Sequence, residues 1–243
     1  MSANMNHPLI SILPISYYLY TMLFKEVRIL LKKEFILEWR QRYALNGMLL
    51  YVGGTIFICF LSFNLNMSQL NVITWNALFW IIMLFNAVNA IAKSFMQERE
   101  ERQLYYYTLV SPQGIVIAKT VYNAFLMLAL TVVAYLVYSL VLGNKVEDQL
   151  LFATGIFLGA LGFSTSLTMI SSIAAKASNN STLMAILGFP VMLPIILMVI
   201  KISKNAIDGI ARSESFDEII TLLAINVIVG AVSYLLFPYI WRS

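Results

Sequence analysis

The chain has 243 residues, of which 60% are hydrophobic and 12% are charged, and its net charge is +4. Soluble domains have about a quarter charged residues, so the composition argues against a water-soluble enzyme, a disordered protein and a secreted disulfide scaffold. One cysteine, Cys59, and one histidine, His7, provide neither a disulfide pair nor a His-based metal or catalytic cluster.

The first 42 residues predict an extension followed by an amphipathic helix. Residues 1–21 contain no basic residue, and Met22 resembles a start site, so we predict that this extension is dispensable. Residues 22–42 predict a helix that lies in the plane of the cytoplasmic membrane interface. Glu34 and Glu38 project from its apolar arc. They either lie at the wet edge of that arc or face a protein partner that offers Lys or Arg.

Long runs without charged residues follow this helix and predict membrane spans. A bilayer crossing requires about 20 mostly apolar residues. The run 43–92 is long enough for two crossings, and each of four later runs is long enough for one. The sequence therefore predicts an all-α integral membrane protein with six transmembrane helices. The predicted spans are 43–63, 72–93, 116–142, 150–173, 181–201 and 218–240.

Basic residues are distributed unequally between the two sides of these spans. Twelve of the 16 Lys and Arg residues fall on the side that carries both termini, and four fall on the other side. Because cytoplasmic segments carry the excess of Lys and Arg, we predict that both termini are cytoplasmic.

The connection between the second and third spans mixes charged and aromatic residues. We predict that residues 94–111 form a short amphipathic coupling helix at the cytoplasmic surface that docks a soluble partner; the alternative is a solvated interfacial loop. Ser111 and Pro112 then predict an N-cap and a first-turn proline for the third span. The residues predicted to contact the partner are Glu98, Arg99, Glu101, Arg102, Tyr105, Tyr106 and Tyr107.

The fourth and fifth spans contain small residues and prolines at helical spacing. Gly155, Gly159 and Gly162 share one face of the fourth span and predict close packing of another helix. Pro190 and Pro194 in the fifth span free backbone carbonyls and favour a kink. This kink is either static or a moving gate, and the sequence leaves both interpretations open.

The sequence contains no motif that indicates catalysis. It has no Gly-rich phosphate loop, no Cys/His ligand pair and no Ser/His/Asp set, so we expect neither an enzyme nor a metal site. Coupled transporters usually place ionisable residues on the transport pathway, and the uncharged runs have none. The energy for any transport would therefore come from a partner, through residues 94–111.

Several motifs occur in a fixed order along the chain. They are Lys32-Lys-Glu-Phe35, the segment Glu98–Pro112 with the following Ala118-Lys119, Leu158-Gly-Ala-Leu-Gly-Phe163 and Phe189-Pro-Val-Met-Leu-Pro194. With the six spans, this order resembles the type-2 ABC exporter permeases, and more narrowly the CcmB family of haem exporter permeases in bacterial cytochrome c maturation. The resemblance covers about 22–240. One departure is that Gln103 stands where the family often has a glycine, before Leu104.

The resemblance implies a permease subunit in the bacterial inner membrane that is not itself an enzyme. The implied partners are a CcmA-like ATPase that binds ATP, CcmC-like and CcmD-like membrane proteins and the haem chaperone CcmE. ATP hydrolysis by the ATPase would drive haem export or the release of haem-loaded CcmE, with haem as a possible substrate. The second transmembrane unit is either another copy of this chain or a different protein. No nucleic-acid partner is implied.

Two other functions agree with the same architecture. One is a permease that exports a lipid or another hydrophobic small molecule. The other is a membrane scaffold that transports nothing and anchors the ATPase to the haem-handling proteins.

Overall fold

The computed structural model describes residues 15–40, 42–65, 70–91, 110–175 and 180–242, and the regular structure in these ranges is helical. These ranges contain seven α-helices, with one 3-10 helix before the last of them. They are α1 (Ile15–Arg40), α2 (Arg42–Leu65), α3 (Val72–Ile91), α4 (Pro112–Leu142), α5 (Gln149–Ala174), α6 (Asn180–Ile207), the 3-10 helix (Arg212–Ser215) and α7 (Phe216–Arg242).

Six of these helices, α2 to α7, are long and apolar enough to cross a membrane, which confirms the predicted all-α, six-span fold. Two helices, α1 and α6, extend furthest beyond the predicted limits. The N-terminal helix α1 begins at Ile15 rather than at residue 22. Helix α6 continues to Ile207 rather than ending at 201, with Lys204 paired to Asp208 at 2.8 Å across one turn. Charged residues limit how far a span is buried in lipid, but they do not end a helix.

Helix α5 forms the centre of the bundle. In the most apolar stretch of α5, 67% of the residues are buried, whereas only 11% are buried in the corresponding stretches of α2 and α7. Its glycine face lies against α6. A Cβ atom placed on Gly155, Gly159 or Gly162 would stand 3.3, 3.0 or 3.1 Å from a side-chain carbon of Ile202, Val199 or Ile195, respectively. The absence of side chains at these three positions therefore allows α6 to approach α5 closely.

The two prolines of α6 lie on the exposed side of a helix that continues on both sides of them. Pro190 and Pro194 have no N–H to donate, so the carbonyls of Ile186 and Pro190 lose their usual helical partners. The static kink and the moving gate both remain predictions.

An aromatic cluster joins α3, α4 and α5 at the end of the bundle away from α1. Trp75 donates its indole N–H to the carbonyl of Gly143 at 3.0 Å, and the Tyr138 hydroxyl donates to the carbonyl of Trp75 at 2.8 Å. Gly143 follows the last residue of α4 with φ +81°, a conformation that glycine adopts readily. These bonds fix where α4 ends.

Candidate functional site at the junction of α1 and α4

All three carboxylates of α1 lie on the side of the helix that faces α4. Glu26, Glu34 and Glu38 are partly buried, and they recur at spacings of eight and four residues, which places them near one face. Leu30 is buried between them and packs with Ile115 and neighbouring residues of α4. The inner face of α1 is therefore apolar with embedded acids.

Glu26 holds the first turn of α4. The Ser111 hydroxyl donates to Glu26 Oε2 at 2.6 Å, and the Ser111 backbone N–H donates to the same oxygen at 3.4 Å. Ser111 Oγ in turn accepts from the N–H of Gly114 at 3.2 Å, and Pro112 opens the helix, which confirms the predicted N-cap and first-turn proline. A carboxylate at this position also interacts favourably with the positive end of the helix dipole.

Gly114 makes this contact sterically possible. A Cβ atom on Gly114 would lie 2.9 Å from Ser111 Oγ and 3.0 Å from Glu26 Oε2. Side-chain atoms rarely approach so closely, so any larger residue would displace the carboxylate from the end of α4. The first turn of α4 is thus shaped to receive Glu26.

Lys119 is buried two turns into α4 and pairs with α1. Its side chain is 4% exposed, and its Nζ lies 3.5 Å from Glu34 Oε1. The Lys33 ammonium lies 3.1 Å from the same oxygen. The predicted third span, 116–142, included Lys119, and the structure adds that α1 covers its side chain. Glu34 therefore faces a lysine of its own chain.

Glu38 and Phe35 extend the contact further along α4. Phe35 packs edge-on against Tyr122 and Phe125, with ring centroids 5.3 and 5.2 Å apart. Burial raises the pKa of Glu38 above its ordinary value of 4.5; the nearby Tyr122 hydroxyl offsets part of the rise, and the charge of Glu34 adds to it. This carboxyl is therefore easier to protonate than an exposed one.

The contacts follow the same order in both helices. They run from Glu26 at Ser111 to Phe35 at Phe125, which is about 21 Å along α4 at 1.5 Å per residue. Helix α1 therefore runs alongside α4 for several turns rather than crossing it at one level. Its position in the plane of the membrane interface stays a prediction.

The predicted partner-docking residues lie outside the part of the chain that the structure describes. Glu98, Arg99, Glu101 and Arg102, together with the three tyrosines 105–107, all fall within residues 92–109. This segment joins α3 to α4 and leads directly into the Ser111 cap. Glu26 therefore contacts the point at which the segment becomes α4.

Sequence reasoning missed a set of buried amides within the spans. Asn123 of α4 donates to Thr168 of α5 at 2.8 Å, and Asn226 of α7 donates to the Leu158 carbonyl of α5 at 3.0 Å. Asn86 of α3 is fully buried. The signal in the sequence is an amide within an uncharged run, which a pattern of ionisable residues does not reveal. Among the described residues no cluster of His, Cys, Asp and Glu is suited to a metal ion.

The opposite end of the bundle carries a different ion pair. Arg212 Nε donates to one oxygen of Asp148 at 2.6 Å, and its Nη2 donates to the other oxygen at 3.0 Å. Asp148 also caps α5 by accepting from the N–H groups of Leu150 and Leu151, each at 3.0 Å. These bonds hold the pKa of Asp148 at about 2, below its ordinary value of 3.8, with the Arg212 hydrogen bond the main cause. A shallow depression beside this pair is lined partly by Glu147.

Comparison with known proteins gives one family. A family model described as CcmB protein matches residues 25–239, from within α1 to the last turn of α7. No curated protein and no solved structure matches the chain. The match includes the α1–α4 junction, the six spans and the segment between α3 and α4. The chain belongs to the CcmB family, whose members are haem exporter permeases in cytochrome c biogenesis, and it is a multi-pass protein of the inner membrane.

Proposed function

We propose that this chain is the membrane subunit through which a CcmA-like ATPase drives haem export or the release of haem-loaded CcmE. The observation that carries the proposal is the bond from Ser111 to Glu26, which ties α1 to α4 where residues 92–109 end. The resemblance to the type-2 ABC exporter permeases implies that this segment contacts the ATPase. A push on it would reach two helices at once.

The α1–α4 junction supports transmission as one body. Glu26 fixes the start of α4, Lys119 pairs with Glu34 about two turns further on, and apolar packing fills the space between them. Asn123 then links α4 to α5 through Thr168. A displacement at Ser111 therefore has a continuous hydrogen-bonded and packed route to the central helix.

The same proposal places the α1 end in the cytoplasm, where the ATPase and ATP are. The 12-to-4 distribution of Lys and Arg supports this orientation. A reporter fused after Ser243 should behave as cytoplasmic, and one inserted between Lys145 and Gln149 should behave as external. The reverse result would overturn the orientation.

The decisive experiment changes the aromatic part of the docking segment. Replacing Tyr105, Tyr106 and Tyr107 with Ala should leave membrane insertion intact but weaken ATPase retention by about 30-fold or more, because buried interface tyrosines often contribute about 2 kcal/mol. Haem-loaded CcmE should then accumulate, and cytochrome c maturation should fail. Replacing Glu98 and Arg102, which are four residues apart and predicted to pair, should have little effect, since surface pairs contribute about 0–1 kcal/mol.

A matched control replaces exposed tyrosines elsewhere in the chain. Tyr234 and Tyr239 of α7 are 40% and 78% exposed. Replacing them with Ala should leave both ATPase retention and CcmE release at wild-type levels. If the triple variant retains the ATPase and matures cytochromes normally, residues 92–109 are an interfacial loop. If it loses the ATPase while haem-loaded CcmE is still released, the coupling proposal is wrong.

A further inference from the structure

The face of α1 that points away from α4 carries only basic residues among its charged groups. The proposed coupling to the ATPase does not require this arrangement. Lys25, Arg28 and Lys32 are all exposed and lie within an arc of about 60° on the side away from α4. All three acids of the helix lie on the inner side. Among the described residues no carboxylate pairs with these three cations, whereas Lys33, nearer the inner side, pairs with Glu34.

Exposed apolar side chains flank this basic strip on both sides. Phe24 is 74% exposed, Ile29 is 61% exposed and Ile36 is 49% exposed. A helix that places cations among exposed apolar groups is suited to the boundary between headgroups and acyl chains. A purely aqueous surface would leave these apolar side chains in water.

The depth of the strip follows from its neighbours on α4. Leu30, between Arg28 and Lys32, packs against Ile115, Val116 and Ala118. Lys119 is the last charged residue before an uncharged run that begins at Thr120 and continues to Asn144. The hydrocarbon layer therefore starts near Lys119, and the strip lies just outside it, at the level of the headgroup phosphates.

We propose that Lys25, Arg28 and Lys32 bind the headgroups of anionic phospholipids in the leaflet beside α1. Each Lys or Arg near an anionic membrane surface adds favourable electrostatic energy, and long basic side chains extend from an apolar surface to reach phosphates. Turning the acids inward removes the repulsion that they would otherwise exert on the lipid. Anionic lipid would then hold α1 against α4 from the outside, independently of any ATPase contact.

Lipid titration of the purified full-length chain tests this inference. The chain in neutral detergent is titrated with phosphatidylglycerol or phosphatidylcholine, and bound lipid is counted by native mass spectrometry. The variant R28Q/K32Q should lose about tenfold or more in affinity for phosphatidylglycerol and nothing for phosphatidylcholine. Glutamine favours helix about as well as lysine and arginine, so α1 should persist. High salt should reduce the difference between the two lipids.

Matched variants make the result specific. K145Q/K201Q removes two exposed lysines at the other end of the bundle and should leave phosphatidylglycerol affinity near wild type. R28K/K32R keeps the charge and should retain binding, which separates lipid recognition from misfolding. Equal losses in R28Q/K32Q and K145Q/K201Q would overturn the proposal. So would unchanged phosphatidylglycerol affinity in R28Q/K32Q. Loss of the ATPase from membrane pull-downs of that same variant would then show that the strip is a protein contact.

Discussion

The two ends of the bundle use ion pairs in opposite ways. At the α1 end, Lys119 is almost fully buried, and its contact with Glu34 is 3.5 Å long. At the other end, Arg212 binds Asp148 through two short bonds, although its side chain is 56% exposed. An exposed ion pair contributes little to stability even with short bonds, because solvent screens the two charges. Breaking a buried ion pair is costly, because one charge is left buried without its partner. The end with the poorer geometry is therefore the more sensitive to mutation.

The titration behaviour of the two ends follows the same division. Burial raises the pKa of Glu38 near α4, whereas hydrogen bonds from Arg212 and the first turn of α5 lower that of Asp148. Acidification therefore weakens the ion pair between Asp148 and Arg212, and it favours the protonated form of Glu38. The ends should respond to pH with opposite signs.

The largest effect should come from Lys119→Met. This change leaves Glu34 partly buried with Lys33 as its only described cation, and breaking such a pair should cost about 2–3 kcal/mol of unfolding free energy. Thermal unfolding in detergent measures the loss, and the double variant E34Q/K119M should recover part of it. Lys145→Met, at an exposed site, should be neutral. If both single variants unfold alike, the buried pair is not important for stability.

A smaller loss should follow Gly114→Ala. The new methyl group would meet Ser111 Oγ and Glu26 Oε2 at 2.9 and 3.0 Å, so both side chains must shift. The weakened Glu26–Ser111 bond should outweigh the helix propensity that alanine adds, for a net loss of about 1 kcal/mol. Gly230→Ala in α7 is the control, since nothing lies within 4 Å of its added Cβ. The control should be neutral or more stable, because alanine favours helix. A Gly114→Ala protein as stable as Gly230→Ala would show that the Glu26 contact adapts freely.

Glu38→Gln should have a modest effect that depends on pH. Because the folded-state pKa of Glu38 is raised, ionisation disfavours the folded state, and this penalty appears as pH rises from 4.5 through the raised value. The glutamine variant should therefore be at least as stable as wild type at pH 7 and should lose that advantage below pH 4.5. Unfolding temperatures across this range provide the measurement. A variant that is less stable only at pH 7 would contradict the sign.

The sequence predicted the spans well, because uncharged runs mark their positions and the bilayer thickness sets their minimum length. It also predicted the cap of α4, since Ser111 and Pro112 are local signals. Helix bounds at the membrane surface were less accurate, as α6 shows by continuing past Lys201. Outside the hydrocarbon layer a helix can contain charged residues, so the end of an uncharged run does not mark the end of the helix.

The α1–α4 junction could be predicted only in part. The sequence placed Glu34 on an apolar arc and left its partner open, because the partner depends on which span α1 packs against. The burial of Lys119 follows from that tertiary contact, and the role of Gly114 follows from the approach of Glu26. The pairing of Asn123 with Thr168 likewise requires the relative register of α4 and α5.

The smallest effect should come from Asp148→Asn at the exposed end. Asparagine still caps α5, so this variant removes the charge of the Arg212 pair and little else. Since the folded-state pKa of Asp148 is lowered, its stabilising contribution is fully present above pH 3.8 and is lost as pH falls through about 2. Wild type and variant should therefore unfold alike near pH 2 and differ slightly at pH 7. Raising the salt concentration should reduce that difference, whereas the loss caused by Lys119→Met should persist in salt because its pair is buried. Arg212→Gln should match Asp148→Asn, as both remove the same pair. A loss in either variant as large as that of Lys119→Met, or one that salt leaves unchanged, would contradict the contrast between the two ends.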